Sequence, residues 1–144
     1  MPHRLIFLLI ASLCFTHQSV AAGKNFKIKP ATEKEEQIYR GMATSFLCNA
    51  LRADLEYEKV LEASVYSHAQ LLDQVHGGMV KSVSKELKKL GKERLDRKTL
   101  LRASANQIIL TAYNACPDEM PQKVKDDIKK DLEMRKIDLG NKKN

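Results

Sequence analysis

Residues 32–53 read TEKEEQIYRGMATSFLCNALRA, and residues 96–117 read DRKTLLRASANQIILTAYNACP. Both stretches carry helix punctuation. Thr32 is followed three residues later by Glu35, which is the pattern of a capping box. Behind it, Ile38, Tyr39, Met42, Phe46, Leu47, Ala50 and Leu51 recur at spacings of three and four, the period of an amphipathic helix. In the second stretch Asp96 stands where an N-cap belongs, Leu101, Ala105, Ile108, Ile109, Ala112 and Cys116 share one face, and Pro117 stops the run. Each helix carries a cysteine, Cys48 or Cys116, on or beside its apolar face.

The rest of the chain fits around these two helices. Val60, Leu61, Val65, Ala69, Leu72 and Val75 mark a second periodic stretch that Gly77-Gly78 ends. Val80, Val83, Leu87 and Leu90 predict a short helix ending at Gly91, with a small hairpin over residues 79–95 as the alternative. Pro121 suits the first turn of a last helix, where its missing N–H costs little. Val124, Ile128 and Leu132 give that helix a narrow apolar stripe. The expectation is an all-α domain over residues 32–138, a bundle of four to five helices. An extended basic arm (23–31) precedes it and a fraying tail (139–144) follows. No repeat or low-complexity tract interrupts it.

Residues 1–22 read differently. Arg4 lies in a short basic start, Leu5 to Phe15 is apolar, and Val20-Ala21-Ala22 closes the segment with small residues, the three-part layout of a secretory signal peptide. The apolar run is too short to span a bilayer, which takes roughly 20 residues, and no later stretch approaches that. Leu13 before Cys14, and the position of Cys14 inside the apolar run, argue against a lipid anchor. Removal of residues 1–22 takes away one positive charge, Arg4, and leaves a net charge of +6 out of +7. It also leaves two cysteines. In an exported chain, periplasmic or secreted, Cys48 and Cys116 read first as one inter-helix disulfide; two buried free thiols are the other reading.

Chemistry-bearing motifs are sparse. The phosphate-binding loop, the dinucleotide fingerprint and the nucleophile elbow are missing from the sequence. His68 and His76, if on one helix, are separated by about 12 Å of rise at 1.5 Å per residue, too far to share a metal. Asp73 and His76 could present two ligands but lack a partner motif, so exposed or cap-forming histidines are expected and no cofactor is implied. A Cys–His dyad with His68 needs a thiolate, which export disfavours. Asp126 and Asp127 are adjacent and read as solvated surface.

One charge feature stands apart. Lys81, Lys85, Lys88, Lys89, Lys92, Arg94, Arg97, Lys98 and Arg102 face only Glu86, Glu93 and Asp96 within the same stretch, a local net charge of +6. That equals the charge of the whole chain after residue 22. Such a concentration attracts an anionic surface or an acidic protein. Its bland counterpart is a solvated face. Nucleic acid is disfavoured, because aromatic side chains for base stacking are not interleaved with the cations.

The run Gly41-Met42-Ala43-Thr44-Ser45-Phe46-Leu47-Cys48, the later Val75-His76-Gly77-Gly78 and the Ala115-Cys116-Pro117 ending resemble a group of small exported cyanobacterial proteins of unknown function. The resemblance covers roughly residues 35–125. It implies a secreted helical domain with Cys48 paired to Cys116 and no established activity. Members of that group sometimes carry a cyclic-nucleotide phosphodiesterase label. A metallo-phosphodiesterase of the β-lactamase-like kind needs a His-x-His-x-Asp-His motif, and this chain has none. The functional expectation is therefore an exported, non-enzymatic binding or envelope-associated module; a small hydrolase without a recognisable motif is the alternative.

Overall fold

The computed structural model describes residues 28–141, with side chains through Met134. The segment read as a signal peptide lies outside the described residues, as do residues 23–27 of the arm and 142–144 of the tail. The described chain forms five α-helices: α1 (Glu33–Arg52), α2 (Tyr57–His76), α3 (Ser84–Lys89), α4 (Arg97–Ala115) and α5 (Gln122–Asn141). Short 3₁₀ turns occupy Lys81–Val83 and Pro117–Glu119.

Local chemistry sets the helix ends. The Thr32 hydroxyl accepts from the Glu35 N–H at 3.3 Å, and the Glu35 carboxylate accepts from the Thr32 N–H at 2.7 Å, closing the expected capping box. Asp96 accepts from the Thr99 N–H at 2.9 Å and so opens α4. Gly77 ends α2 at φ 59°, and the Gly78 N–H reaches back to the Leu72 carbonyl at 3.0 Å. Those left-handed dihedrals are open to glycine at little cost. A Cβ on Gly78 would also come within 3.0 Å of the Leu95 carbonyl oxygen.

The bundle is built on α1, α2 and α4, each packed against the other two. α1 and α4 run the same way, and α2 runs back between their ends. Cys48, near the end of α1, is bonded to Cys116, the residue that caps α4, with Cα atoms 6.0 Å apart. Next to this staple the Arg52 Nε donates to Glu119 at 2.6 Å. Leu47, Val60, Val65, Ile108, Ala112 and both cysteines form the larger apolar cluster, which Ile128 of α5 joins. A smaller cluster of Ala31, Ala69, Leu72, Val80 and Leu100 fills the opposite end.

The hairpin alternative for residues 79–95 is not what forms. Lys81–Val83 form a helical turn that runs into α3, Val80 stays extended before it, and among the described residues the extended pairing amounts to one parallel bridge, Ala31 to Val80. In it the Ala31 N–H donates to the Met79 carbonyl at 2.9 Å, and the Lys81 N–H donates to the Ala31 carbonyl at 3.0 Å. The arm thus takes the edge that a second hairpin strand would have needed. Gly91, at φ 66°, turns the chain after α3 instead of joining two strands.

The apolar stripe of α1 also divides. Leu47 and Ala50 are buried, whereas Ile38, Met42 and Phe46 face outward. Ala43, Thr44 and Cys48, one residue round the helix, take the inward positions. Two neighbours of α1, rather than one, rotate its buried face toward smaller side chains.

The staple closes a loop with a sequence separation of 68. In the chain-entropy treatment a crosslink of that span stabilises by about 4 kcal/mol. Replacing both Cys48 and Cys116 with Ala should lower the urea-unfolding free energy by about 3–5 kcal/mol. An unchanged midpoint at equal slope would show that the staple contributes nothing to stability.

Candidate functional site

Both described histidines, His68 and His76, are buried, contrary to the exposed or cap-forming placement their sequence context suggested. They belong to inter-element contacts. His76 Nδ1 lies 2.9 Å from the Lys29 carbonyl, which can only accept, so Nδ1 carries the proton. Its Nε2 then accepts from the Tyr39 hydroxyl at 3.1 Å. Every polar atom of that ring is used, and it ties the arm and α1 to the end of α2.

His68 is different. It lies midway along α2, is 1% exposed, and faces an equally buried Ser104 of α4, with 2.8 Å between Nδ1 and the hydroxyl oxygen. Two arrangements of protons fit that distance. If Nδ1 donated, the Ser104 O–H and His68 Nε2 would both be left unpaired. If Ser104 donates to Nδ1, one unpaired group remains, the Nε2–H. Burying an unpaired polar group costs about 1–3 kcal/mol, so the second arrangement holds. His68 Nε2 has no protein partner. The two histidines therefore carry opposite tautomers.

Along α2 and α4 the pair falls between residues of the two apolar clusters, and partly buried Leu101 packs against both. Val65 and Ile108 lie on the disulfide side of it, and Ala69 and Leu100 lie on the other. Thr44 of α1 is also buried, and its hydroxyl has no protein partner. Ser64 is satisfied through the Val60 carbonyl at 2.8 Å. Burial pushes the His68 imidazole below its usual value of 6.5, and the Arg40 guanidinium of α1 acts in the same direction. Serine next to histidine invites comparison with a hydrolytic dyad. Ser104, however, is 1% exposed, and its hydroxyl is closed off from any substrate carbonyl.

His68 lines a half-open groove of about 230 Å³ between α1 and α2. Met42, 60% exposed, and Phe46, 52% exposed, stand on its α1 wall. Ala63, Ser67 and Leu71 form the α2 wall. A second apolar groove lies between α2, α4 and α5, next to Tyr57, whose phenol burial holds above its usual range. Among the described residues no three His, Cys, Asp or Glu side chains gather in a way that could hold a metal ion.

All nine cations of the basic stretch are exposed. Lys81 lies on the 3₁₀ turn, and Lys85, Lys88 and Lys89 lie on α3. Lys92 and Arg94 lie on the following loop, and Arg97, Lys98 and Arg102 lie on the first turns of α4. Backbone contacts hold this segment at the end of the bundle away from the disulfide: the Leu95 N–H donates to the Gly78 carbonyl at 3.0 Å, and the Lys92 N–H to the Leu87 carbonyl at 2.9 Å. Among the described residues the only ion pair that any of the nine makes is Lys92 to Asp96, at 4.0 Å. Leu90, 71% exposed, stands between Lys89 and Lys92.

The groove was not legible in the sequence, because Met42 and Phe46 read as core. The buried histidine had one available signal. His68 falls three residues after Val65 and four before Leu72, on the apolar face of the predicted helix.

The depressed His68 value has a definite pH signature. The unfolded chain takes up a proton near pH 6.5, and the folded chain does so only at lower pH. Stability from this residue is thus complete above about pH 7 and is lost as pH falls through 6.5 toward the folded value. Urea unfolding at pH 7.5, 6.5 and 5.5 should show the decline, and His68→Gln should flatten it. An identical slope in the variant would contradict the burial account. Glu35, Asp96 and Glu119, all held below their usual range by hydrogen bonds, act only at more acidic pH.

No curated protein and no solved structure matches this chain. A family model described as a domain of unknown function, DUF8650, matches residues 34–139. The match runs from the first turn of α1 into the last turns of α5, and so covers the bundle, the staple, the His68–Ser104 pair and the basic end. The chain belongs to the DUF8650 family.

Proposed function

We propose that the protein is exported, loses residues 1–22, and works in the periplasm or outside the cell as a non-enzymatic binding module whose basic end engages an anionic membrane surface. The observation that carries the reading is the basic segment itself: nine exposed cations on one short stretch, nearly free of ion pairs, with Leu90 projecting among them. Cations draw such a module to anionic headgroups at about 1 kcal/mol each near the surface. An exposed leucine adds a small apolar anchor. Cys48–Cys116 pairing is in keeping with an oxidising compartment. No described helix is long and apolar enough to cross a membrane, so contact with lipid would be made from the surface. The resemblance to small exported cyanobacterial proteins points to the same compartment.

The cations are exposed, so their replacement should leave the bundle intact; exposed substitutions usually change stability by less than about 0.5 kcal/mol. Vesicles containing phosphatidylglycerol should retain the chain from residue 23 at 0.1 M salt and release it at 1 M, where the Debye length falls from about 10 Å to about 3 Å. Lys88→Gln, Lys89→Gln, Arg97→Gln and Lys98→Gln together should weaken flotation at least tenfold. Equal flotation of both proteins would return the segment to a solvated surface.

A further inference from the structure

One face of α2 is polar and exposed. Tyr66, Gln70 and Asp73, at spacings of four and three, lie on it with Gln74. Together with Arg97, the first residue of α4, they line a cleft of about 180 Å³ between the two helices. We propose that this cleft binds a neutral hexopyranose, with two adjacent sugar hydroxyls bridging Asp73 and Arg97.

Three observations set the ligand class. The first is charge. Asp73 and Arg97 line the same cleft, yet among the described residues neither makes an ion pair, and none of the five polar side chains makes a hydrogen bond. All five are exposed, so their donors and acceptors are open to a guest. A carboxylate and a guanidinium held apart in one cleft match a pair of adjacent hydroxyls, which can donate to the first and accept from the second. The two charges also cancel, so a guest with a net charge would meet a like charge on one side.

The second observation is the floor. Ala69 and Leu100, both buried, line the cleft beneath the polar side chains, and the Tyr66 ring, 44% exposed, stands beside them. A pyranose has the same division. Its C–H faces suit the apolar floor and the aromatic ring, and its hydroxyl edge suits Gln70 and Gln74, each both donor and acceptor. The third is size. An apolar cavity of about 150 Å³ holds benzene, so about 180 Å³ has room for one six-membered ring whose substituents reach the rim. Asp73 and Arg97 also line a wider neighbouring cleft along residues 92–96, into which a second sugar unit could extend. The site shares Arg97 with the basic end but does not rest on membrane binding.

The test is a titration of the disulfide-bonded protein, without vesicles, with the methyl glycosides of glucose, galactose and mannose, followed by backbone amide shifts. At least one should bind saturably and shift amides of residues 66–74 and 97–101. Tetrahydropyran-2-methanol keeps the ring but has no adjacent hydroxyl pair; it should bind at least tenfold more weakly, as lost hydrogen bonds to charged groups imply. Asp73→Asn should weaken sugar binding about tenfold without weakening vesicle flotation, which separates this site from the membrane surface. Gln70→Trp should fill the cleft and block the sugar. Both positions are exposed, so the thermal melt of each variant should stay in place. Any of four results would overturn the site: no saturable shift with any of the three glycosides, equal affinity for tetrahydropyran-2-methanol, full affinity in either variant, or stronger binding of leucine, whose ammonium and carboxylate would mark a zwitterion site instead.

Discussion

A single buried hydrogen bond, from the Ser104 hydroxyl to His68 Nδ1, governs how the middle of this bundle is arranged. Polar groups in the interior must find one another, because each left alone costs about as much as a sizeable apolar contact gains. Their meeting fixes where α2 and α4 cross. Along those helices it falls between a larger apolar cluster beside Cys48–Cys116 and a smaller one beside the arm. The covalent staple acts at one end of α4 and this hydrogen bond near its middle, so α4 has little freedom to slide against either partner. A slip by one turn would bring Leu100 or Ile108 against His68 and leave Ser104 facing hydrocarbon.

The helical frame was legible because its signals are local. Thr32 with Glu35, Asp96 with Thr99, Gly77-Gly78 and Pro117 act on the backbone within a turn or two, and each ends a helix where the sequence placed it. Residues 79–95 were ambiguous for a physical reason. Val80 has a strong preference for extended structure, and the deciding contact, Ala31 to Val80, comes from a segment some fifty residues away. Ile38, Met42 and Phe46 misled for a related reason. Periodicity reports that a helix has an apolar face, but the number of neighbours decides which part of that face is covered. α1 lies against both α2 and α4, which turns Ala43, Thr44 and Leu47 inward and leaves the larger residues standing.

The histidines were the least legible feature. Their sequence spacing excluded a shared metal, and beyond the place of His68 on the apolar face of its helix nothing local distinguished a ring that ends a helix from one that spans the core. Only tertiary contact separates them: His76 uses both nitrogens on Tyr39 and Lys29, and His68 uses one. The basic segment, by contrast, could be read directly, since exposure is the default for lysine and arginine. What the fold adds is its place. The contacts from Gly78 to Leu95 and from Leu87 to Lys92 hold it at the end of the bundle far from the staple, so that its cations sit together at one end of the molecule.

The state of the His68 ring is the most direct check on this picture. Its two ¹⁵N resonances at pH 7, assigned in the disulfide-bonded protein, report which nitrogen carries the proton. A neutral ring with the proton on Nε2 and an accepting Nδ1 is the expected result, beside a His76 ring of the opposite tautomer. A proton on His68 Nδ1, or a charged His68 at pH 7, would contradict the buried Ser104-to-His68 hydrogen bond.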